Sequence, residues 1–407
     1  MTRIKLLTRR DFLGTSAQAA TAALLVNPLR TSGLLSAVSP WEADGYNHKV
    51  VVRVYDLAAA SAYTFGSQYY WRKFDTAKLQ SMLESGIMEL SNTATPQDAW
   101  ARILPGVSAA SKIVAKVNLN NTRREWQSAA LNSSPAMMIA LTKSLNKAGV
   151  QNGNITFLDC SRPFPDEMKN EVQAQCPSVQ CAGGAQAGSS ATQDMPYGGP
   201  YVIPRLVTDA DFLLNCHLMK KHDGGHTGAI KNLFGMNADG KVSFAHRDPQ
   251  WMHGNQCKFI ITHPEIKKRL KLCINEAILA AKSPDTLDAY QFTDLFPDGR
   301  PSSLFLSRNP FLQDVVEWDF VRAECSGFSC RSGDTITWLK NCAGSLPNWT
   351  AAAVESGMLV NGGAGLPPKD MSYNPALLQY ISRTVGSASA RPHSGYQQGN
   401  SGGRVRG

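Results

Sequence analysis

No Cys-x-x-Cys pair occurs in the 407 residues, although cysteine itself appears nine times. That absence excludes a ferredoxin-type iron–sulfur cluster and a zinc ribbon, both of which need closely spaced thiolates. Charge is sparse, at 18% of residues against 43% hydrophobic. This is the balance of an ordinary globular protein and excludes a mostly disordered chain. No internal repeat is found, which excludes a solenoid or fibre. No apolar run reaches the roughly 20 residues that a bilayer-spanning helix needs. A cluster of basic charge over the body of the chain is also missing. Of the formal +9, residues 1–38 carry +4 and the tail from Thr384 carries +3. The near-neutral remainder offers no groove for a nucleic-acid backbone, so nucleic acid is not expected as a partner.

The length admits two domains, or one large α/β domain with additions. Residues 1–38 read as an export signal. Thr8-Arg9-Arg10-Asp11-Phe12-Leu13 precedes a weakly apolar, alanine-rich stretch from Ala17 to Val26. The pattern resembles a twin-arginine signal, which implies the twin-arginine export machinery as a partner and a periplasmic or exported location. In an oxidising compartment Cys176 and Cys181, and two of Cys325, Cys330 and Cys342, are candidate local disulfides.

β-Branched or apolar runs predict strands at 49–57, 112–119, 154–159, 211–216 and 303–306. Helices are expected at 75–104 in two pieces, at 135–147, near 165–175, and at 310–323 and 334–341. Thr95-Pro96 and Ser134-Pro135 are their clearest start signals. Residues 182–191 read as a Gly/Ala/Ser-rich loop, 226–234 as helical or mixed, and 263–282 as helical with a strand around Leu272–Ile278. The alternation predicts an α/β fold with a mainly parallel sheet and helices on both faces, in one lobe or two. An α/β domain is expected over 48–325, a C-terminal helical extension over 326–383, and a disordered Ser/Gly/Arg-rich tail over 384–407.

Six of the eight histidines fall between His217 and His263. The densest stretch, Asn215 to Gly235, starts at the C-terminal end of an expected buried strand, the edge where open parallel sheets bind ligands. One reading takes His222, His226 and His246 as metal ligands, for nickel, zinc or iron. Gly224 and Gly225 between the first two argue for a loop there rather than a helical pair. A second reading gives a carboxylate or phosphate to Lys220, Lys231 and the helix start, with a histidine moving a proton. A third leaves the histidines hydrogen-bonded within loops and the lysines solvated. Lys116 and Asn118 at another strand end, Asn232, and Asp314 are further candidates for holding an anion or cofactor, Asp314 by orienting a histidine.

Thr227-Gly-Ala-Ile-Lys-Asn-Leu-Phe-Gly235 after Lys220-Lys-His222, the strand Lys112–Asn118, and Asn309-Pro-Phe-Leu-Gln-Asp314 together resemble the bacterial and archaeal domain of unknown function family 362, over roughly 48–325. A more distant resemblance is to nickel-pincer lactate racemases. By position it implies Lys231 as the tether of a nickel-bearing cofactor, His246 as nickel ligand and His222 as acid/base. Phe234-Gly235 stands where those enzymes have Pro-Gly. The expectation is an exported enzyme acting on a small anionic molecule by racemase-like proton or hydride chemistry, with His222 and Lys220 doing the chemistry. The rival is a non-catalytic periplasmic metal- or ligand-binding protein.

Overall fold

The computed structural model describes residues 48–122, 128–184, 188–194, 200–222, 225–238, 254–281, 288–324, 339–340, 342–343, 359–361, 372–373 and 378–385. All of these lie in the unit Gly45–Gly407. The export-signal segment, His246, Cys325, Cys330 and the tail from 386 fall outside them.

Strands β1 (Val50–Tyr55), β2 (Ile113–Lys116) and β3 (Ile155–Asp159) form where β-branched and apolar residues run without interruption. β4 (Gln180–Gly183) follows, then β5 (Ser189–Asp194) and β6 (Pro200–Pro204), which make a separate antiparallel pair. β7 (Phe212–His222), β8 (Gly225–Thr227), β9 (Leu270–Ala281) and β10 (Ser303–Ser307) come next. β11 (Leu359–Asn361) and β12 (Ser372–Tyr373) form a second small ladder, and β13 (Gln379–Thr384) ends the series.

The main sheet has nine strands in the order β13-β1-β10-β9-β7-β2-β3-β4, with β8 paired to β7. The pairs β1/β13, β2/β3, β2/β7, β3/β4 and β7/β9 are parallel, and β1/β10, β9/β10 and β7/β8 antiparallel. From β2 the chain moves outward through β3 to β4. It then returns to the other side of β2 with β7 and continues to β9. The direction of winding therefore reverses between β2 and β7, and such a reversal opens a crevice beyond the carboxyl ends of the strands.

Helix α1 (Thr76–Ser91) starts at Asp75, whose side chain accepts from Lys78 N, and ends at Asn92 with φ 52°. α2 (Pro96–Ile103) starts at Thr95 and α3 (Pro135–Lys147) at Ser134, each cap accepting a backbone N–H three residues on and followed by proline. α4 (Asp166–Gln175), α5 (Arg205–Thr208), α6 (Ala229–Asn232), α7 (Gly254–Thr262), α8 (Pro264–Arg269) and α9 (Pro310–Glu324) complete the set among the described residues.

Helices cover both faces. A Cβ added to Gly86 of α1 would come within 2.5 Å of Leu306 Cδ1 on β10, so that helix lies directly on the sheet there. The neighbouring Phe305 instead meets Phe320 of α9, ring centroids 5.0 Å apart. Adjacent residues of a strand point to opposite faces, so α1 and α9 sandwich β10.

Several elements differ from expectation. The strand expected around Leu272–Ile278 runs longer, over Leu270–Ala281, where helix was expected at its ends; all but Lys271 are buried. A strand covered on both faces shows no alternation, and its apolar run reads equally as helix. The expected 182–191 loop contains the end of β4 and the start of β5. Residues 226–234 open in strand β8 before a single turn of helix. Region 326–383 contributes strands, and β13 forms the sheet edge beside β1. Cys176 and Cys181 are free thiols. The first ends α4 beside Lys143 and the second sits inside β4 beside Lys169, so their side chains enter different surroundings.

Candidate functional site at the strand ends

Lys116 is the last residue of β2 and Asp159 the last of β3, while Lys220 lies near the end of β7. The parallel register brings these ends together beside the reversal between β2 and β7. The β7/β9 ladder slips between Leu218 and Lys220, so that Leu218 faces Glu276 but Lys220 faces Ala281. An irregularity of this kind re-aims the side chain that follows it.

All three side chains are buried. Lys116 Nζ donates to Asp159 Oδ2 at 3.2 Å, to Asn232 Oδ1 at 3.3 Å and to the carbonyl of Val117. Asp159 also accepts from Leu119 N at 2.8 Å and from the backbone and hydroxyl of Ser161 at 2.9 and 2.7 Å. Lys220 Nζ donates to Asn118 Oδ1 at 3.2 Å and Asn121 Oδ1 at 3.5 Å. It therefore faces neutral amide oxygens where Lys116 has a carboxylate. Burial, with Lys116, Arg162 and Lys231 adding repulsion against the pull of Asp159, pushes the Lys220 amine down to about 7.

Asn232 ties the two strand ends together. Its Oδ1 accepts from Lys116 and from Asn118 Nδ2 at 3.0 Å, and its Nδ2 donates to Asn215 Oδ1 at 2.7 Å and to the carbonyl of Cys216 at 3.1 Å. Asn215 Nδ2 donates in turn to the carbonyl of Ala229 at 2.7 Å. Asp314 of α9 accepts from the backbone amides of Ala229 and Ile230 and so holds the start of α6. Its role is to fix the turn that carries Lys231 and Asn232, both of which are buried.

Lys116, Asn118, Lys220 and Asn232 are thus brought into one network, with Lys231 close enough to repel Lys220. His226 is set apart from that network: its Nε2 lies 3.8 Å from Asp314 Oδ1 and its ring stacks on Trp318. In the β7–β8 ribbon His222 pairs with Gly225 and Lys221 with His226. The side chain of His222 and all of His246 lie outside the described residues.

Asp159, Asn121 and Asn215 escaped the sequence reading. Asp159 ends an expected strand beside one whose terminal lysine was already a candidate, and that position is the signal that could have found it. The pairing His217 with Glu317 carried no local pattern, because the two are 100 residues apart.

Of the residues that the racemase resemblance implies for a nickel-bearing cofactor, Lys231 is buried on α6 beside Asn232. The imidazole that would ligate the metal lies outside the described residues. The Phe234-Gly235 turn is laid directly on the Lys116–Asp159 pair: a Cβ on Gly235 would fall 2.8 Å from Lys116 Nζ and 2.9 Å from Asp159 Oδ1. No chemical step is routed through such a group.

Among curated proteins no sequence matches this chain. Among solved structures one similar chain is the lactate racemase apoprotein from Thermoanaerobacterium thermosaccharolyticum, at 14% identity and a TM-score of 0.36. The similarity covers 60% of this chain and 54% of that one, so this chain spans about half the length of the racemase. The family described as "Domain of unknown function (DUF362)" matches residues 113–315, from β2 into α9 and including every residue of the strand-end network. Residues 113–315 of this chain are therefore a DUF362 domain.

Proposed function

We propose that this chain is an exported enzyme that binds a small anionic molecule at the β2/β7 strand ends and moves a proton on it, in the manner of a racemase or epimerase. The observation that carries the reading is the Lys220 amine, buried at the winding reversal and held by two amide oxygens instead of a carboxylate. Lys116 and Lys231 both repel Lys220, and the carboxylate of Asp159 is already engaged by Lys116, Leu119 and Ser161. A small anion would offset the surplus positive charge, and a buried lysine near neutrality is suited to give and take a proton. Asn118, Asn121 and Asn232 orient the two amines. His222, one residue pair beyond Lys220 on the same strand, is the second proton carrier of this reading. Arg9-Arg10 and the apolar stretch that follows support export through the twin-arginine route.

The test is incubation of the full-length protein with small 2-hydroxy and 2-amino acids in deuterated water, read by mass spectrometry for deuterium at the carbon next to the carboxylate. Incorporation that disappears in Lys220→Met supports the reading. Anion binding without exchange favours the non-catalytic binding protein, and neither binding nor exchange removes both. For location, Arg9→Lys with Arg10→Lys is expected to keep the protein in the cytoplasm; unchanged export would contradict the proposed route.

A further inference from the structure

We propose that His217, Asp314 and Glu317 form a site for one divalent first-row transition-metal ion, a structural tie between β7 and α9 that is separate from the lysine network. His217 is in β7, and Asp314 and Glu317 are three apart on α9, so one turn of that helix presents both carboxylates to the strand. One ligand atom from each lies within 4.8 Å of the others, and all three side chains have zero exposure. His217 Nε2 and Glu317 Oε1 are 2.6 Å apart. Bonds of about 2.0–2.2 Å to a shared zinc-like ion put ligand atoms roughly 3–4 Å from each other, so small side-chain adjustments suffice.

A further observation points to an occupant. The second oxygen of Glu317, Oε2, is buried with no hydrogen-bond partner, a costly state for a carboxylate oxygen. One imidazole with two carboxylates is a donor set for zinc, iron(II) or manganese(II). His226 Nε2 lies 3.8 Å from Asp314 Oδ1 and is equally buried, at the edge of this cluster. Gly228 keeps the approach open, because a Cβ there would overlap Asp314 Oδ1 and come within 2.6 Å of His226 Nε2. With no exposed position, the ion would be acquired as the chain folds and would contribute to stability.

The experiment uses the full chain, stripped with chelator and reloaded with zinc or cobalt(II). Elemental analysis is expected to give about one equivalent per chain and a higher melting midpoint than the stripped protein. Glu317→Gln is expected to lose that equivalent and the shift, whereas His246→Ala keeps both. X-ray absorption of the cobalt-loaded wild-type chain, which needs no variant to fold, is expected to show oxygen donors with one or two imidazoles and no sulfur. Absence of retained metal, retention in Glu317→Gln with loss in His246→Ala, three or more imidazoles, or a sulfur ligand would each overturn the proposal.

Discussion

Two buried groups, Lys220 and Glu276, act on the stability in opposite senses as pH changes. Lys220 is lowered from 10.5 to about 7 by burial and by neighbouring cations. Between those values the unfolded chain binds a proton that the folded chain has released, so stability rises with pH over that window. Glu276 on β9 is raised from 4.5 to about 7 by burial, against the hydrogen bonds from Ser134. Its contribution is complete below 4.5 and is lost as pH rises through about 7. Denaturant unfolding of Lys220→Met is expected to lose the rise above pH 7, and that of Glu276→Gln to lose the fall between 4.5 and 7. Unchanged pH slopes in these variants would show that the two groups do not titrate as the structure places them. Lys220 was recognisable in the sequence from its place after an apolar strand. Its partners Asn118 and Asn121 come from the end of β2 and the loop after it, and only the fold brings them to it.

Local chemistry decides the helices, and here the sequence was most legible. Thr95-Pro96 and Ser134-Pro135 mark the starts of α2 and α3 because a hydroxyl can accept an N–H three residues on while proline needs none of its own. Ser134→Ala is expected to cost about 1 kcal/mol, measured as a lower denaturation midpoint with unchanged slope. Gly86 is a different case. Its place within α1 is set by contact with Leu306 of β10, and helix propensity alone would favour alanine there. Gly86→Ala is therefore expected to destabilise the protein by about 1–3 kcal/mol by overpacking; a gain in stability would mean that α1 does not sit on the sheet as described. The strand at 270–281 was legible only in its middle, around Leu272–Ile278, for a related reason. Burial on both faces is a property of the sheet, and it removes the alternation that marks a strand in the sequence.

At the scale of the molecule, alternating strands and helices were enough to foresee a mainly parallel sheet covered on both sides. The strand order was not foreseeable. Nothing in the local pattern says that the chain winds from β2 to β4 and then returns beside β2, or that β13 closes the far edge next to β1. That order makes the strand ends a site: it gathers Lys116, Asp159, Asn232 and Lys220 from segments up to 116 residues apart. The histidine-rich stretch that drew attention in the sequence is divided by the same topology. His217 lies against Glu317 of α9 and His226 near Asp314, away from the two amines. Among the described residues the strand-end network is therefore built of lysine, asparagine and Asp159, with His217 and His226 outside it.

The direct measurement of the proposed proton chemistry is the titration of the Lys220 amine in the folded, full-length protein. With lysine labelled at Cε and Nζ, and the Lys220 resonance assigned by its loss in Lys220→Met, the midpoint is expected near pH 7, apart from the exposed lysines. A midpoint with those lysines, near 10.5, would contradict the account, because an amine charged at neutral pH could not serve as the proton acceptor.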